Sequence, residues 1–384
     1  MGIIERLASF AGYERRDASA CIEPSWAALE QNIGLTPALS ARAAENLSAV
    51  LCCVNSIATA LSYVPALVFR RGATGDRTEL PNHPLAQLVR DGVNQSMTWV
   101  DWVELMYASV LLQGNALSTV ERDPGGQIVG LTFRPWGSVT VAELVSGRLA
   151  FDISDGRGRA QRFLGSEVIH LKDRSDDAKV GRSRLSRAAE TISAVHGAAS
   201  LSGSLLRNGA FPSGVLTAPG AINNDTAERL KATWSTSFSG DRAGKIAVAG
   251  DGLKWERLQI SPEDAELLES RRFNVAEVCR VFGVPPQFAM DYSSSTFTNS
   301  ETAGRWFAMY TLSPWARKLE AEFSRTVFPT GSGLELELDL SGFQRADPEG
   351  RWRTYQIAKS EGILTVDEIR QLEGFGPMPK GQTP

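Results

Sequence analysis

Three carboxylates at alternating positions come nearest, by type and spacing, to an acid–base site in this sequence. Residues 334–340 read LELELDL, which places Glu335, Glu337 and Asp339 on one face of a strand and four leucines on the other. With His170, at the end of an apolar stretch, these carboxylates could serve a hydrolase. We favour a solvated strand face, because no partner histidine or catalytic motif accompanies them. His170 and His196 are interpreted as structural histidines.

Motifs for phosphate, covalent or metal chemistry are missing or incomplete. The stretch GDRAGKI at 240–246 resembles a Walker A motif, but it has three residues between its glycines instead of four, and isoleucine where magnesium needs Ser or Thr. The sequence contains neither G-x-S-x-G nor H-E-x-x-H. Its four cysteines have no C-x-x-C spacing, and its three histidines are far apart. We therefore expect no enzymatic activity, no cofactor and no metal site.

A loop almost without charge is the most distinctive stretch of the chain. Residues 289–300 read AMDYSSSTFTNS, with Asp291 as the only acid, and no Lys or Arg occurs between Arg280 and Arg305. The pattern predicts one helix before this loop, at 261–282, and another after it, at 301–327, interrupted by Pro314. Hydroxyl-rich side chains on such a support suit a surface that touches a partner without forming ion pairs.

Two groups of arginines could bind phosphates or the acids of an adjacent subunit. One group flanks a predicted helix at 181–208 that is rich in small residues, which favours close approach to another helix. The other is an adjacent pair in the predicted helix 261–282. A solvated surface is the alternative for both groups, whose members are Arg182, Arg184, Arg187, Arg207, Arg271 and Arg272.

Bulk composition is that of an ordinary globular protein. The 384 residues are 42% apolar and 22% charged, which predicts a real core divided among two or three subdomains. The net charge of −4 provides no global basic field to attract nucleic acid. The cysteine usage and the first ten residues predict a reduced, cytosolic origin without a signal peptide. Asn46–Phe69 carries no charge, but its polar residues and helical periodicity favour a buried helix over a bilayer span.

Hydrophobic periodicity predicts an α+β chain. A helix in the uncharged stretch precedes a strand at 66–71, and two further helices begin after His83 and Thr98. The pattern then changes to strands at 115–122, 128–134, 139–145, 149–153 and 168–171. After the small-residue helix, the remaining predicted elements are an αβ insert at 211–256, the helices on either side of the low-charge loop, the LELELDL strand and two C-terminal helices.

Five segments resemble the portal (head–tail connector) proteins of tailed bacteriophages, including those of phage-derived gene transfer agents. They are LTPALSARAAENLSAVLCCVNSIATALSYVPALVF at 35–69, WVDWVELMYASVLLQGNAL at 99–117, the stretch from EVIHLKD to RNGAFP at 167–212, the stretch from GVPPQFAM to MYTLSP at 283–314, and EGILTVDEIRQLEG at 361–374. Together they extend over nearly the whole chain.

The resemblance implies a portal-protein fold with wing, stem, clip and short crown. The implied divisions are an N-terminal arm (1–40), a wing (41–182, with 328–344 returning to it), a first stem helix (183–208), a clip (209–260), a second stem helix (261–283), a tunnel-loop region (284–300), a long bent helix (301–327) and a crown (345–384). The resemblance also implies that the loop faces DNA through Tyr292, Ser293, Ser294, Ser295, Thr296, Phe297, Thr298 and Asn299, and that the six arginines lie at a subunit interface or channel.

The function that follows from the resemblance is a homododecameric ring at the unique capsid vertex. Double-stranded DNA would pass through it without sequence specificity during packaging and ejection, and twelve copies at −4 would give a formal −48 that discourages DNA from binding the wall. Implied partners are the major capsid protein, the large terminase and a head–tail adaptor or neck protein, with the ring in the virion and its assembly in host cytoplasm; no membrane partner is expected. The alternatives are the cytosolic hydrolase above and a membrane-associated oligomeric channel using Asn46–Phe69.

Overall fold

The computed structural model describes residues 20–21, 39–72, 75–156, 159–207, 215–217, 228, 254–256, 274–292, 297–344, 348–373, 375–376 and 378. Its helices are α1 (Ala41–Glu45), α2 (Ser48–Ser62), α3 (Pro84–Asp91), α4 (Trp99–Gln113), α5 (Arg184–Arg187), α6 (Ala189–Arg207), α7 (274–282), α8 (Phe297–Trp306), α9 (Ser313–Thr326), α10 (Ser341–Gln344), α11 (Pro348–Ser360) and α12 (Val366–Leu372). Short 3-10 turns lie at Trp136–Ser138 and Pro286–Ala289, and a π-helical stretch, Phe307–Leu312, joins α8 to α9.

The strands form small antiparallel sheets. They are β1 (Ala20–Cys21), β2 (Ala66–Arg71), β3 (Arg77–Glu79), β4 (Asn115–Arg122), β5 (Ile128–Arg134), β6 (Val139–Leu144), β7 (Leu149–Ser154), β8 (Ala160–Leu164), β9 (Val168–Lys172), β10 (Val215–Thr217), β11 (Lys254–Glu256) and β12 (Leu334–Leu338). The strand orders are β1-β6-β7-β8, β12-β2-β3, β5-β4-β9 and β10-β11. The α+β class predicted from the sequence is confirmed.

Two apolar helices, α2 and α4, form the centre of the core. On α2 the buried side chains include Val50, Val54, Ile57 and Leu61, at the spacing expected for one helix face. Helix α4 begins at a capping box, in which Thr98 and the third helical residue exchange side-chain and backbone hydrogen bonds. The apolar periodicity of α2 and the predicted cap of α4 at Thr98 are therefore both present in the structure.

The packing at the end of α4 requires glycine at two positions, for different reasons. Gly114 adopts a left-handed φ of 78°, which costs glycine no steric penalty. The chain also returns so closely at Gly181 that a Cβ there would overlap the Gly114 carbonyl oxygen. Asn115 closes this contact, donating from Nδ2 to the Gly181 carbonyl and accepting from the Gly181 amide, both at 2.7 Å. The start of the arginine-bearing segment is thereby fixed against β4.

The chain divides into two compact units by its internal contacts. One comprises 1–193 and 275–384, and the other 194–274. Among the described residues, the first unit contains the helical core and three of the four sheets, whereas the second contains the antiparallel pair β10–β11, in which Leu216 pairs with Trp255. The larger unit is built from two distant stretches of chain, and β12 from the second stretch pairs with β2 from the first.

Most predicted elements are confirmed within a few residues, and several differ. The helix predicted at 181–208 is broken at Ala188 into α5 and α6. The short strands β1, β3 and β8 and the short helices α1 and α10 were missed. Predictions that fall outside the described residues are the arm apart from 20–21 and 39–40, the helix near 224–238 apart from Glu228, the strand at 245–249, and the first half of the helix 261–282.

In the described part of the chain, no helix is both long enough and apolar enough to cross a membrane. The helix in the uncharged stretch, α2, has 15 residues, whereas a bilayer span needs about 20.

Candidate functional site

His170 is part of the packed core. It is 2% exposed, its ring stacks on Trp136 at 5.3 Å, and the edge of Phe151 lies at 5.1 Å. Its Nε2 lies 3.0 Å from Oδ1 of Asn115. Because this oxygen already accepts from the Gly181 amide and can only accept, Nε2 is the nitrogen that carries the proton. Burial, together with the nearby positive charges of Lys172 and Arg325, lowers the pKa of His170 to about 3.

The acidic strand is paired elsewhere in the structure. Glu335 forms an ion pair with Arg71 at 3.0 Å, and Glu337 with Arg77. Arg71 belongs to β2, which pairs with β12, and Arg77 belongs to β3, the next strand of the same sheet. The described wall of the cavity beside His170, of about 390 Å³, is formed instead by Arg148, Leu149, Phe151, Leu164, Gly165, Ser166, Lys172, Glu322 and Arg325. The structure does not bring the histidine and the strand carboxylates together, so the hydrolase interpretation has no site.

The loop of the low-charge segment, predicted at 289–300, is shorter than predicted. A 3-10 turn runs to Ala289, Met290 has a left-handed φ of 60°, and α8 begins at Phe297. The predicted loop as far as Ser300 is therefore wrong at its end, because Thr and Asn side chains favour helix starts as readily as loops. The side chain of Tyr292 is 61% exposed.

Of the other candidate loop residues, Ser293, Ser294, Ser295 and Thr296 lie outside the described residues. Phe297, Thr298 and Asn299 belong to the first turn of α8, and their side chains are not described. Their exposure to DNA stays a prediction.

An exposed apolar face follows this segment on α8 and the π-helical stretch. Trp306, Met309 and Tyr310 are 61%, 61% and 66% exposed, and the two rings meet edge to face at 5.6 Å. Phe307 and Leu312 of the same stretch are buried. Beside this face lies an apolar groove of about 450 Å³, whose lining includes Val284, Pro285, Pro286, Trp306 and Phe307. Exposed apolar side chains that lie together in this way are typical of a surface that contacts another molecule.

The arginines at the start of the small-residue segment are bound within the chain. Arg184 donates to Asp173 Oδ2 at 2.9 Å and to the Phe282 carbonyl at 2.6 Å, and it lies over the Trp315 ring at 5.4 Å. It therefore links the residue that follows β9, the end of α7 and the start of α9. Such a cation at the carbonyl end of a helix also satisfies groups that have no partner within the helix.

Arg182 and Arg187 share a single carboxylate. Both pair with Asp176, at 3.4 and 3.3 Å, and their side chains are 22% and 20% exposed. Burial by itself would raise the pKa of Asp176, but hydrogen bonds and charge from the two arginines outweigh it and lower the pKa. Arg207 lies on α6 with its side chain undescribed, and Arg271 and Arg272 lie outside the described residues. A role for any of the six at a subunit interface stays a prediction.

The residues that the structure describes contain no group of three or more His, Cys, Asp or Glu placed to hold a metal ion.

Comparison with known protein families identifies one match that extends over most of the chain. The model described as "Phage portal protein" matches residues 48–374. The "Probable portal protein" of Streptomyces phage phiC31 is 31% identical over 296 residues, which are 73% of this chain and 65% of that protein. The "Portal protein" of Enterobacteria phage HK97 is 26% identical over 341 residues, 87% of this chain and 80% of that protein.

Two solved structures have a fold similar to that of this chain. A chain from the neck of an empty GTA particle has a TM-score of 0.63 at 23% identity, with 98% of this chain and 100% of that chain aligned. An HK97-family phage portal protein from Corynebacterium diphtheriae has a TM-score of 0.56 at 16% identity, with 80% and 98% aligned.

Proposed function

The chain belongs to the phage portal protein family, and from this membership we propose that it assembles as a homododecameric ring at the unique vertex of a capsid. The ring would pass double-stranded DNA inward during packaging and outward during ejection, and afterwards hold the neck and tail. The match of the family model over residues 48–374 carries this proposal. It spans both units of the chain, so it concerns the whole architecture and not one shared motif.

The division of the chain into wing, stem, clip and crown is part of the proposal. We assign residues 41–182 and 328–344 to the wing, and the pairing of β12 with β2 supports that assignment because it joins the two stretches in one sheet. The clip at 209–260 and the stem helices at 183–208 and 261–283 follow from the resemblance alone. So does the crown at 345–384.

The distribution of positive charge supports the proposal that DNA passes through a channel. Each phosphate contact made by Lys or Arg strengthens salt-sensitive binding, so a channel that must release DNA benefits from few free cations. The two arginines at 182 and 187 are neutralised in part by Asp176, and Arg184 by Asp173. No Lys or Arg occurs between Arg280 and Arg305. We propose that this low-charge segment lines the narrowest part of the channel.

Ring formation requires two different surfaces that meet head to tail. The exposed face formed by Trp306, Met309 and Tyr310 is suited to be one of them, since a monomer in water gains nothing from exposing it. The proposed partners besides the chain itself are the major capsid protein, the large terminase and a head–tail adaptor. Hydrolysis of ATP would belong to the terminase, in keeping with the incomplete Walker A stretch.

Electron microscopy of the purified protein tests the assembly. We expect rings with a central hole, viewed end-on, and a twelvefold average from class analysis. A chain that stays monomeric at high concentration and in every salt condition, and also forms no ring when co-expressed with its capsid protein, would contradict the proposal.

A glycine replacement tests the channel segment. Because α8 begins at Phe297, the replacement should run from Tyr292 to Thr296 and leave the helix intact. We expect normal rings but fewer DNA-filled particles, measured as protected DNA per particle. A matched control replaces the exposed hairpin turn at 145–147. Equal DNA filling in both variants would refute a role for the segment.

A further inference from the structure

Two buried thiols from distant parts of the chain face each other in the larger unit. Cys53 lies on α2 and Cys279 on α7, 226 residues apart, and the residues are 0% and 1% exposed. Their Sγ atoms are 3.9 Å apart, and the Cys53 thiol donates to the Cys279 sulfur. A disulfide needs about 2.0 Å between the sulfurs, so each has to move by only about 1 Å.

The two thiols differ in access. Cys279 forms part of the wall of the apolar groove beside Trp306 and Phe307, whereas Cys53 is behind it and is not among the described residues that line the groove. A small oxidant entering the groove would meet Cys279 first. The arrangement places one thiol for attack and the other within reach to complete a bond.

The hydrogen bond between the two thiols also makes Cys279 the more reactive one, because it shifts their pKa values in opposite directions. The bond donated by Cys53 lowers the pKa of Cys279 although burial opposes this, and the same bond together with burial raises the pKa of Cys53. Thiolate is the nucleophilic form of cysteine. Cys279 is therefore also the more easily ionised member of the pair.

We propose that Cys53 and Cys279 form a dithiol that a small hydroperoxide, ROOH, converts to an intramolecular disulfide. The Cys279 thiolate attacks the outer peroxide oxygen, the O–O bond breaks, and the departing RO⁻ takes up a proton as ROH, which leaves a sulfenic acid on Cys279. The Cys53 sulfur, losing its proton, then attacks the Cys279 sulfur, and the S–O bond breaks to release water. The two sulfurs lose two electrons in total, and the peroxide gains them.

The disulfide would fix the base of the low-charge segment. Cys279 lies four residues before Gly283, and the next turn is already held by α2, because Cys52 Sγ and Ser56 Oγ both lie within hydrogen-bond distance of the Phe288 carbonyl, at 3.3 and 3.2 Å. A covalent bond between α2 and α7 would add a second, permanent attachment beside this one. This chemistry depends on the thiol geometry and not on the proposed portal function.

Peptide mapping of the full-length protein tests the proposal. Reduced protein is treated with hydrogen peroxide, remaining thiols are alkylated, and the cross-linked peptides are sequenced by mass spectrometry. We expect a link between Cys53 and Cys279, with the loss of two hydrogen atoms in mass. Cys52→Ser, which removes the neighbouring thiol, should form the same link. Cys53→Ser should instead accumulate a sulfenic acid on Cys279 that dimedone traps.

If the proposal is right, the folded structure is what makes Cys53 and Cys279 react with each other. The link should form at least about tenfold faster in the folded protein than in urea, where 226 residues of flexible chain separate the sulfurs. Amide hydrogen exchange at 284–290 should slow in the oxidised form. A link through Cys52, a link only between chains, or equal rates in folded and unfolded protein would each overturn the proposal, and none of these outcomes requires a substituted protein.

Discussion

The buried imidazole of His170 should make the stability of the protein depend on pH. In the folded chain its pKa is lowered to about 3 by burial and by the positive charges of Lys172 and Arg325, whereas the ordinary value is 6.5. The ring nitrogen at Nε2 already donates to Asn115, and the stacked Trp136 leaves no room for water on one side. Protonation would place a charge between aromatic rings and beside two cations.

The sign and size of the effect follow from linkage. Between pH 6.5 and about pH 3 the unfolded chain carries a proton on this histidine and the folded chain does not, so stability falls as the pH falls. The slope approaches about 1.4 kcal/mol per pH unit. Integrated from pH 7 to pH 5, the loss attributable to His170 is about 2 kcal/mol.

Urea unfolding at pH 7, 6 and 5 measures this loss, at one protein concentration because assembly also stabilises the folded state. Carboxylates contribute to the same curve, so the comparison is with His170→Gln, whose amide can donate to Asn115 but does not titrate. The variant should be less stable at pH 7, and its pH dependence should be flatter than that of the wild type by about 2 kcal/mol over the two units. Parallel curves for the two proteins would refute the burial of a neutral imidazole.

Three further substitutions and one control, Arg174→Gln, test the packing around the arginine-bearing segment and the core, all measured by urea denaturation. Arg184→Gln should cost about 2–3 kcal/mol, because it leaves a buried carboxylate and helix carbonyls without their partner. Arg174→Gln, with a side chain 77% exposed, should cost less than about 0.5 kcal/mol, and equal losses would contradict this account. Thr98→Ala should cost about 1 kcal/mol through the lost helix cap, and no change in midpoint would argue against the capping box. Gly181→Ala should cost about 3 kcal/mol or more, since its Cβ would overlap the Gly114 carbonyl; a variant as stable as wild type would refute that close approach.

Elements with local signals could be predicted from the sequence, and the structure shows why. Helix α4 carries its cap at Thr98 and its stop at Gly114, and β12 carries a strict alternation over its whole length. By contrast β3 and β8 are held by pairing with strands that the local sequence does not specify, and Arg77–Glu79 is exposed at every residue. The π-helical stretch before Pro314 also has no sequence signal that distinguishes it from an α-helix.

The functional surface was predictable only in outline. The sequence identifies Arg184 as a possible contact but cannot say that its partners include Phe282, 98 residues away. Likewise, periodicity places Trp306 and Tyr310 in a helix without saying which side faces water, because the π-helical stretch shifts the register of the faces. The acidic face of β12 was interpreted as a solvated strand face, whereas two of its carboxylates, Glu335 and Glu337, form ion pairs with Arg71 and Arg77.

The pairing of β2 with β12 imposes an order on biosynthesis. Arg71 and Glu335, neighbours across this sheet, are 264 residues apart in the chain. At roughly 5–20 residues per second, a ribosome needs on the order of 10–50 s to make the intervening chain. Throughout that interval β2 has one edge without its final strand, and such an edge recruits strands from other nascent chains. We therefore expect nascent chains to depend on a chaperone until residue 338 emerges from the ribosome. The dependence should end when β12 pairs with β2.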